Sequence, residues 1–150
     1  MSPLQSPETD EFLVERDKDE LVYRHITAPL LSPDTRTPSS SAFGPKPIDK
    51  GKPSFIRSAL VPSAQDARDW HTAHAAKPSL GVWACSVSEV IGTGTQTIDD
   101  SAVTPPDGEV VAPGHCFVDY RHLNKSDERK VRSLLLAFAI GRKELATTAA

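Results

Sequence analysis

The residues of this chain best suited to chemistry are its histidines, its two cysteines and a scatter of serines and carboxylates. His115 follows a Pro113-Gly114 corner, and Asp119 stands four residues further on. On one extended strand, such residues share a face but lie about 13 Å apart, too far for a hydrogen bond. A His115–Asp119 dyad therefore requires a broken strand. Otherwise a different carboxylate, or a serine of the 39–41 cluster, must complete any acid–base pair. The simpler expectation is a histidine satisfied by backbone at a bulge.

His71 and His74 are three apart in a segment that reads as helix, so their rings can share a face. With Cys85, His115 or Cys116 they would make up a zinc ligand set by residue type. The chain has no Cys-x-x-Cys, no glutamate between the two histidines and no regular ligand spacing, so no metal is expected. Gly92-x-Gly94 lacks the third glycine and the helix start that turn backbone amides onto a phosphate, and a hairpin turn accounts for it. Arg24 sits in a β-prone segment on the same face as Val22 and Ile26. A guanidinium there needs a carboxylate, a cluster of backbone carbonyls or a bound anion. An ion pair with one of the many acids is the first expectation.

The elements that must position these groups follow from local pattern. Leu21 to Ile26 and Ser54 to Val61 read as strands, and Leu80 to Val87 as a buried central strand. A short strand ends near Ile98, and Glu109 to Tyr120 reads as a strand broken at Pro113-Gly114. Ser63 is a good N-cap for a helix that Pro78 ends, and residues 88–91 suit a short helical turn. Asn124 or Ser126 caps a final helix to about Gly141, with Val131, Leu134, Leu135, Phe138 and Ala139 on its apolar face. Between Thr27 and Pro53 lies a long Pro/Ser-rich stretch with one apolar island at Ala42-Phe43, the pattern of a lid, a binding loop or a strap packed on the sheet. The expected fold class is α+β, a small and mostly antiparallel sheet with two helices and a long loop.

At 150 residues the chain suits one domain, placed at residues 21–145. Residues 1–20 carry seven acids and two bases, and Phe12, Leu13 and Val14 are their only apolar cluster. That composition predicts a disordered acidic arm, and residues 146–150 a frayed tail. Residues 121–143 carry seven bases and two acids, so arm and C-terminal helix have opposite charge. With a formal net charge of -3 and no aromatics interleaved among the bases, the chain offers no case for nucleic acid. No apolar run has the roughly 18–20 residues a membrane span needs, and the N-terminus lacks the pattern of a secretory signal. Two cysteines are too few for a disulfide framework and point to buried thiols in a reducing, cytoplasmic setting.

The order Tyr23-Arg24-His25-Ile26, Ser39-Ser40-Ser41-Ala42-Phe43 and Pro113-Gly114-His115 resembles small uncharacterised bacterial proteins that share a "YR-I" strand, an "SSAF" segment and a late "P-H" corner. That resemblance spans about residues 21–120 and implies no activity. A more distant likeness is to ADP-ribosyltransferase-like folds, in which an early strand carries an arginine, a serine-rich motif follows, and a later strand carries a catalytic glutamate. Arg24, the Ser39 to Ser41 run and Glu109 fall in that order, with Ser41 the serine taken as the candidate. The resemblance implies that Arg24 holds a phosphate, Ser41 braces a ribose and Glu109 polarises it.

The expectation from sequence is a protein-binding accessory module, immunity- or antitoxin-like or a complex subunit, without catalysis or cofactor of its own. Its partner is another protein that orders the arm and loop on binding. The alternative is an NAD-using, ADP-ribosyltransferase-like enzyme, with Arg24, Ser41, Glu109 and His115 as candidate catalytic residues.

Overall fold

The structure, a computed structural model of the chain, describes residues 3–16 and 19–149. The fold is α+β. Six strands form one sheet: β1 (Phe12–Leu13), β2 (Leu21–His25), β3 (Ser54–Arg57), β4 (Val82–Ser86), β5 (Thr97–Asp99) and β6 (His115–Val118). Their order across the sheet is β1-β5-β6-β3-β2-β4, and every pairing is antiparallel. Three α-helices accompany it: α1 (Ala64–His74), α2 (Val87–Gly92) and α3 (Lys125–Arg142). None of the described helices is long and apolar enough to cross a membrane.

Each helix starts where a side chain satisfies its open backbone amides. Ser63 Oγ accepts from Asp66 N at the head of α1, and Asn124 Oδ1 accepts from Asp127 N at 2.8 Å at the head of α3. Ser86 and Glu89 exchange reciprocal bonds that make α2 a six-residue helix where the sequence reads as a single turn.

Alternation along the strands divides the apolar residues between two faces. On one face, Val22, Phe55, Trp83, Cys85, Cys116 and Val118 pack under Val131, Leu135 and Ala139 of α3. Leu134 and Phe138, expected on that apolar face, remain 37% and 39% exposed, because burial follows a strict four-residue spacing at 131, 135 and 139. The Thr27–Pro53 stretch is a strap: its helical turn at Ser40–Phe43 buries Ala42 and Phe43 beneath α3, and Tyr120 Oη donates to the Phe43 carbonyl at 2.6 Å. On the opposite face Tyr23, Ile56, Val82 and Ala84 meet Ala67 of α1. Helix α1 contacts β2 there and leaves the area above β3 and β6 to the 100–113 loop.

Several expectations are corrected. The acidic arm supplies the edge strand β1, with Phe12 opposite Asp99 and Leu13 opposite Ile98, and it buries Val14 to 3% exposure. A three-residue cluster cannot nucleate a core, but it can add to an edge whose backbone groups already stand open. Glu8 and Glu11 of this arm meet Arg121 and Lys52, both at 3.4 Å. Residues 1–2 and 17–18 of the predicted arm lie outside the described residues, as does Ala150 of the predicted frayed tail. Within that tail Thr147 Oγ1 accepts from Arg68 Nη1 at 2.8 Å and Thr148 N donates to Gln65 Oε1 at 2.7 Å, just beyond Leu145, whose N donates to Val82 O. Strand β3 stops at Arg57, whose carbonyl accepts from both Leu60 N and Val61 N in a turn. The predicted 109–120 strand is extended and paired only at 115–118, because Gly114 takes φ +70° and residues 109–112 have no strand beside them. Helix α3, in contrast, ends at Arg142, in line with the expected stop near Gly141, and Arg142 is held by Glu89 at 2.7 Å and by the Ala84 carbonyl.

Candidate active site

Three neighbouring strands bring a serine, a histidine and an aspartate together on one face of the sheet. His115 opens β6, Ser54 opens β3, and Asp100 follows directly on β5. His115 Nε2 stands 2.9 Å from Ser54 Oγ, and His115 Nδ1 stands 2.5 Å from Asp100 Oδ1. A carboxylate only accepts, so Nδ1 carries the proton it shares with Asp100, and Nε2 is left as an acceptor for the Ser54 hydroxyl. This is the order of roles in a serine nucleophile, a histidine base and an aspartate orienter, recognised by geometry and independent of chain order. Ser54 is exposed, while His115 and Asp100 are half-buried.

Each group is fixed from behind. In antiparallel pairing, His115 lies opposite Ile56, and Ser54 shares the face of Ile56 two residues away. The imidazole therefore reaches diagonally along β3 to the serine. Gly114 puts His115 into register: its carbonyl accepts from Arg57 N at 2.8 Å, and a Cβ at this position would stand 3.1 Å from Val61 Cγ2. Asp99, adjacent to Asp100, points to the other face, where it accepts from Arg57 Nη1 at 2.7 Å and Ser101 Oγ at 2.6 Å. Burial works against ionisation of Asp99, but the bonds from Ser101 and Arg57 hold its carboxyl below the usual carboxylate range. Arg57 also bridges to Glu20 at 2.6 Å, so the end of β5 is tied to the sheet just before Asp100.

Arg24 braces the serine from the opposite face. Its Nη1 donates to the Ser54 carbonyl at 2.7 Å and its Nε to the Ala42 carbonyl at 2.6 Å, and its guanidinium lies over the Phe55 ring. A cluster of backbone carbonyls, and not a carboxylate, satisfies this guanidinium.

The serine and histidine open into a cavity of about 440 Å³. Its walls are Ile56 and Val61 from β3 and its turn, Ala67 and Trp70 from α1, and the proline- and valine-rich 103–113 segment. His25 and His71 also face it, with ring centroids 4.4 Å apart. Burial, with His71, Arg24 and Arg68 nearby, pushes His25 down to about 3. His71 is likewise lowered, chiefly by burial. Both rings are therefore neutral at pH 7.

Of the candidates read from sequence, His115 and Glu109 line this one cavity. Arg24 lies on the α3 face, and Ser41 is exposed in the 40–43 turn beside the Ala42 carbonyl that Arg24 holds. The structure does not bring Arg24, Ser41 and Glu109 into one cleft. Asp119 turns away from His115 and pairs with Arg121 at 2.9 Å and Gln96 at 3.0 Å. His74 stacks on Trp70 and bonds the Trp70 carbonyl, while Cys85 and Cys116 are buried, unpaired thiols in the α3-side core. Among the described residues, no group of three or more histidines, cysteines and carboxylates is arranged to hold a metal ion.

Sequence reasoning missed Ser54 and Asp100. Ser54 was visible only as the start of a strand and Asp100 lay just beyond one, and their partnership with His115 depends on the order β5-β6-β3, which no local pattern encodes. Compared with family models, curated proteins and solved structures, the chain matches none.

Proposed function

We propose that this chain is a serine-dependent hydrolase or acyl transferase acting on an ester, thioester or activated amide. The observation that carries this reading is the unbroken Asp100–His115–Ser54 relay opening into an apolar cavity. Ser54 Oγ attacks the substrate carbonyl carbon as its proton passes to His115 Nε2, and Asp100 stabilises the imidazolium that forms. His115 then gives that proton to the leaving group as the carbonyl re-forms, leaving an acyl ester on Ser54. Water, deprotonated by His115, attacks this ester and releases the acid, restoring the hydroxyl of Ser54.

The test is labelling with a fluorophosphonate, which forms a covalent bond with activated serine hydroxyls. The expected result is a single adduct on the peptide holding Ser54, absent in Ser54→Ala and strongly reduced in His115→Ala. Equal labelling of wild type and Ser54→Ala, together with no ester turnover above that variant, would overturn the reading.

A second reading, a protein-binding module, is supported by a different observation. Phe12 and Leu13 of edge strand β1 are 60% and 48% exposed within the acidic arm, and among the described residues β1 has no strand on its outer side. A partner could extend the sheet there by strand addition. The two buried free thiols fit a reducing, cytoplasmic setting for such a complex. The native mass of the tagged chain from its own cells tests this: a discrete heteromeric complex supports it, and a monomer or homo-oligomer counts against it.

A further inference from the structure

The cavity beside Ser54 has a one-sided charge. Asp66 reaches it from the first turn of α1, and Glu109 reaches it from the loop across from that helix. Asp100 supplies a third carboxylate, engaged with His115. Among the described residues, no lysine or arginine lines the space. His25 and His71 stand in its wall as neutral rings and offer no cation. Apart from Ser54, His115 and Thr104, the remaining wall is aliphatic or aromatic, including Val61, Trp70, Val103 and Pro106.

We infer that the cavity accepts an uncharged, apolar acyl group and rejects anionic ones, with Asp66 and Glu109 as the residues that discriminate. An anionic group entering would exchange bulk water for a partly apolar space with carboxylates and no counter-cation, so desolvation and like-charge repulsion act together. An aliphatic or phenyl-bearing chain loses only water and gains contact with the valines, prolines and Trp70. At about 440 Å³ the space is in the range of small-molecule sites, roughly 300–1,000 Å³. The same charge pattern disfavours a pyrophosphate-bearing ligand such as NAD.

This inference rests on the acyl-transfer reading for what part of the substrate enters, but charge selection can be read without turnover. The first arm compares para-nitrophenyl pentanoate with the mono-para-nitrophenyl ester of glutaric acid, which have the same chain length and differ by a terminal carboxylate. The pentanoate is expected to have a kcat/KM at least about tenfold higher, a like-charge penalty of the size that separates matched and mismatched partners. In Asp66→Asn/Glu109→Gln that ratio falls by about fivefold or more. The second arm uses Ser54→Ala and follows tryptophan fluorescence, since Trp70 lines the cavity and the other tryptophan, Trp83, is buried on the opposite face. Phenylbutyramide is expected to bind more tightly than phenylbutyrate.

Carboxylate probes that bind or react as well as the neutral ones would overturn the inference even where hydrolysis proceeds. A preserved preference for the amide with neither ester cleaved would sustain charge selection and overturn the catalytic reading. Binding of neither probe would overturn the inference outright.

Discussion

At the residue scale, the function of His115 is set by what its two ring nitrogens meet. Asp100 fixes the tautomer, so its charge matters more than its shape. Asp100→Asn keeps the size of the side chain but presents an amide that can donate to Nδ1, favouring the wrong tautomer. Turnover is expected to fall by about 10⁴-fold, with thermal stability nearly unchanged because Asp100 is half-buried. Steady-state kinetics with a matched melting curve check this. His25 carries a different prediction, one about pH. Its folded pKa is about 3 against an ordinary value of 6.5, so between those values the unfolded chain binds a proton that the folded chain does not. Stability contributed by neutral His25 is thus complete above the ordinary value and lost as pH falls towards the folded one. From pH 7 to pH 5 the loss is expected to be roughly 2 kcal/mol, at about 1.4 kcal/mol per pH unit once the unfolded histidine titrates. His71 adds in the same direction. Urea unfolding of wild type and His25→Gln at the two pH values measures it, and the variant should show a shallower slope. The depressed carboxylates Asp99 and Asp119 also lose stability on acidification, but below this window.

At the element scale, the site depends on where strands stop as much as where they run. The corner at Gly114 both ends the 100–113 roof and starts β6 at His115, and it does so in a left-handed conformation at φ +70°. Gly114→Ala meets that backbone penalty and places its methyl 3.3 Å from the Arg57 carbonyl and from Leu60 Cβ. A destabilisation of about 1–3 kcal/mol is expected, read as a lower melting temperature, together with a loss of activity larger than the residual folded fraction explains. These points also show why the elements were more legible in the sequence than the site. Caps at Ser63 and Asn124 and the apolar run at 82–86 act over a few residues, and local pattern records them. The run that reads as a central strand is nevertheless β4 at the edge of the sheet, buried by α3 and α1 instead of by a second neighbouring strand. Pro113-Gly114 announced a break, but not that residues 109–112 would leave the sheet to roof a cavity. Arg24 was marked by its place among apolar neighbours, which is a local fact. That its partners are the carbonyls of Ala42 and Ser54 is a tertiary one, separated by 18 and 30 residues.

At the scale of the whole molecule, the triad spans contacts 15 and 61 residues apart, so its assembly requires β5, β6 and β3 to stand side by side. The acidic arm depends on tertiary context for a related reason: judged alone it has too little apolar surface to fold, but its Phe12 and Leu13 lie extended against the edge that β5 offers. The same logic governs the other rim, where Leu145 adds one backbone bond to β4. The acidic arm thus supplies one outer strand, β1, and the segment after α3 bonds the opposite outer strand, β4. Under tension these outer attachments, two paired residues in β1 and one backbone bond at Leu145, are expected to yield before the central pairings. In an optical trap, low-force detachment of the short terminal segments is expected to precede a single cooperative rupture. Only that second event would separate Ser54 from His115.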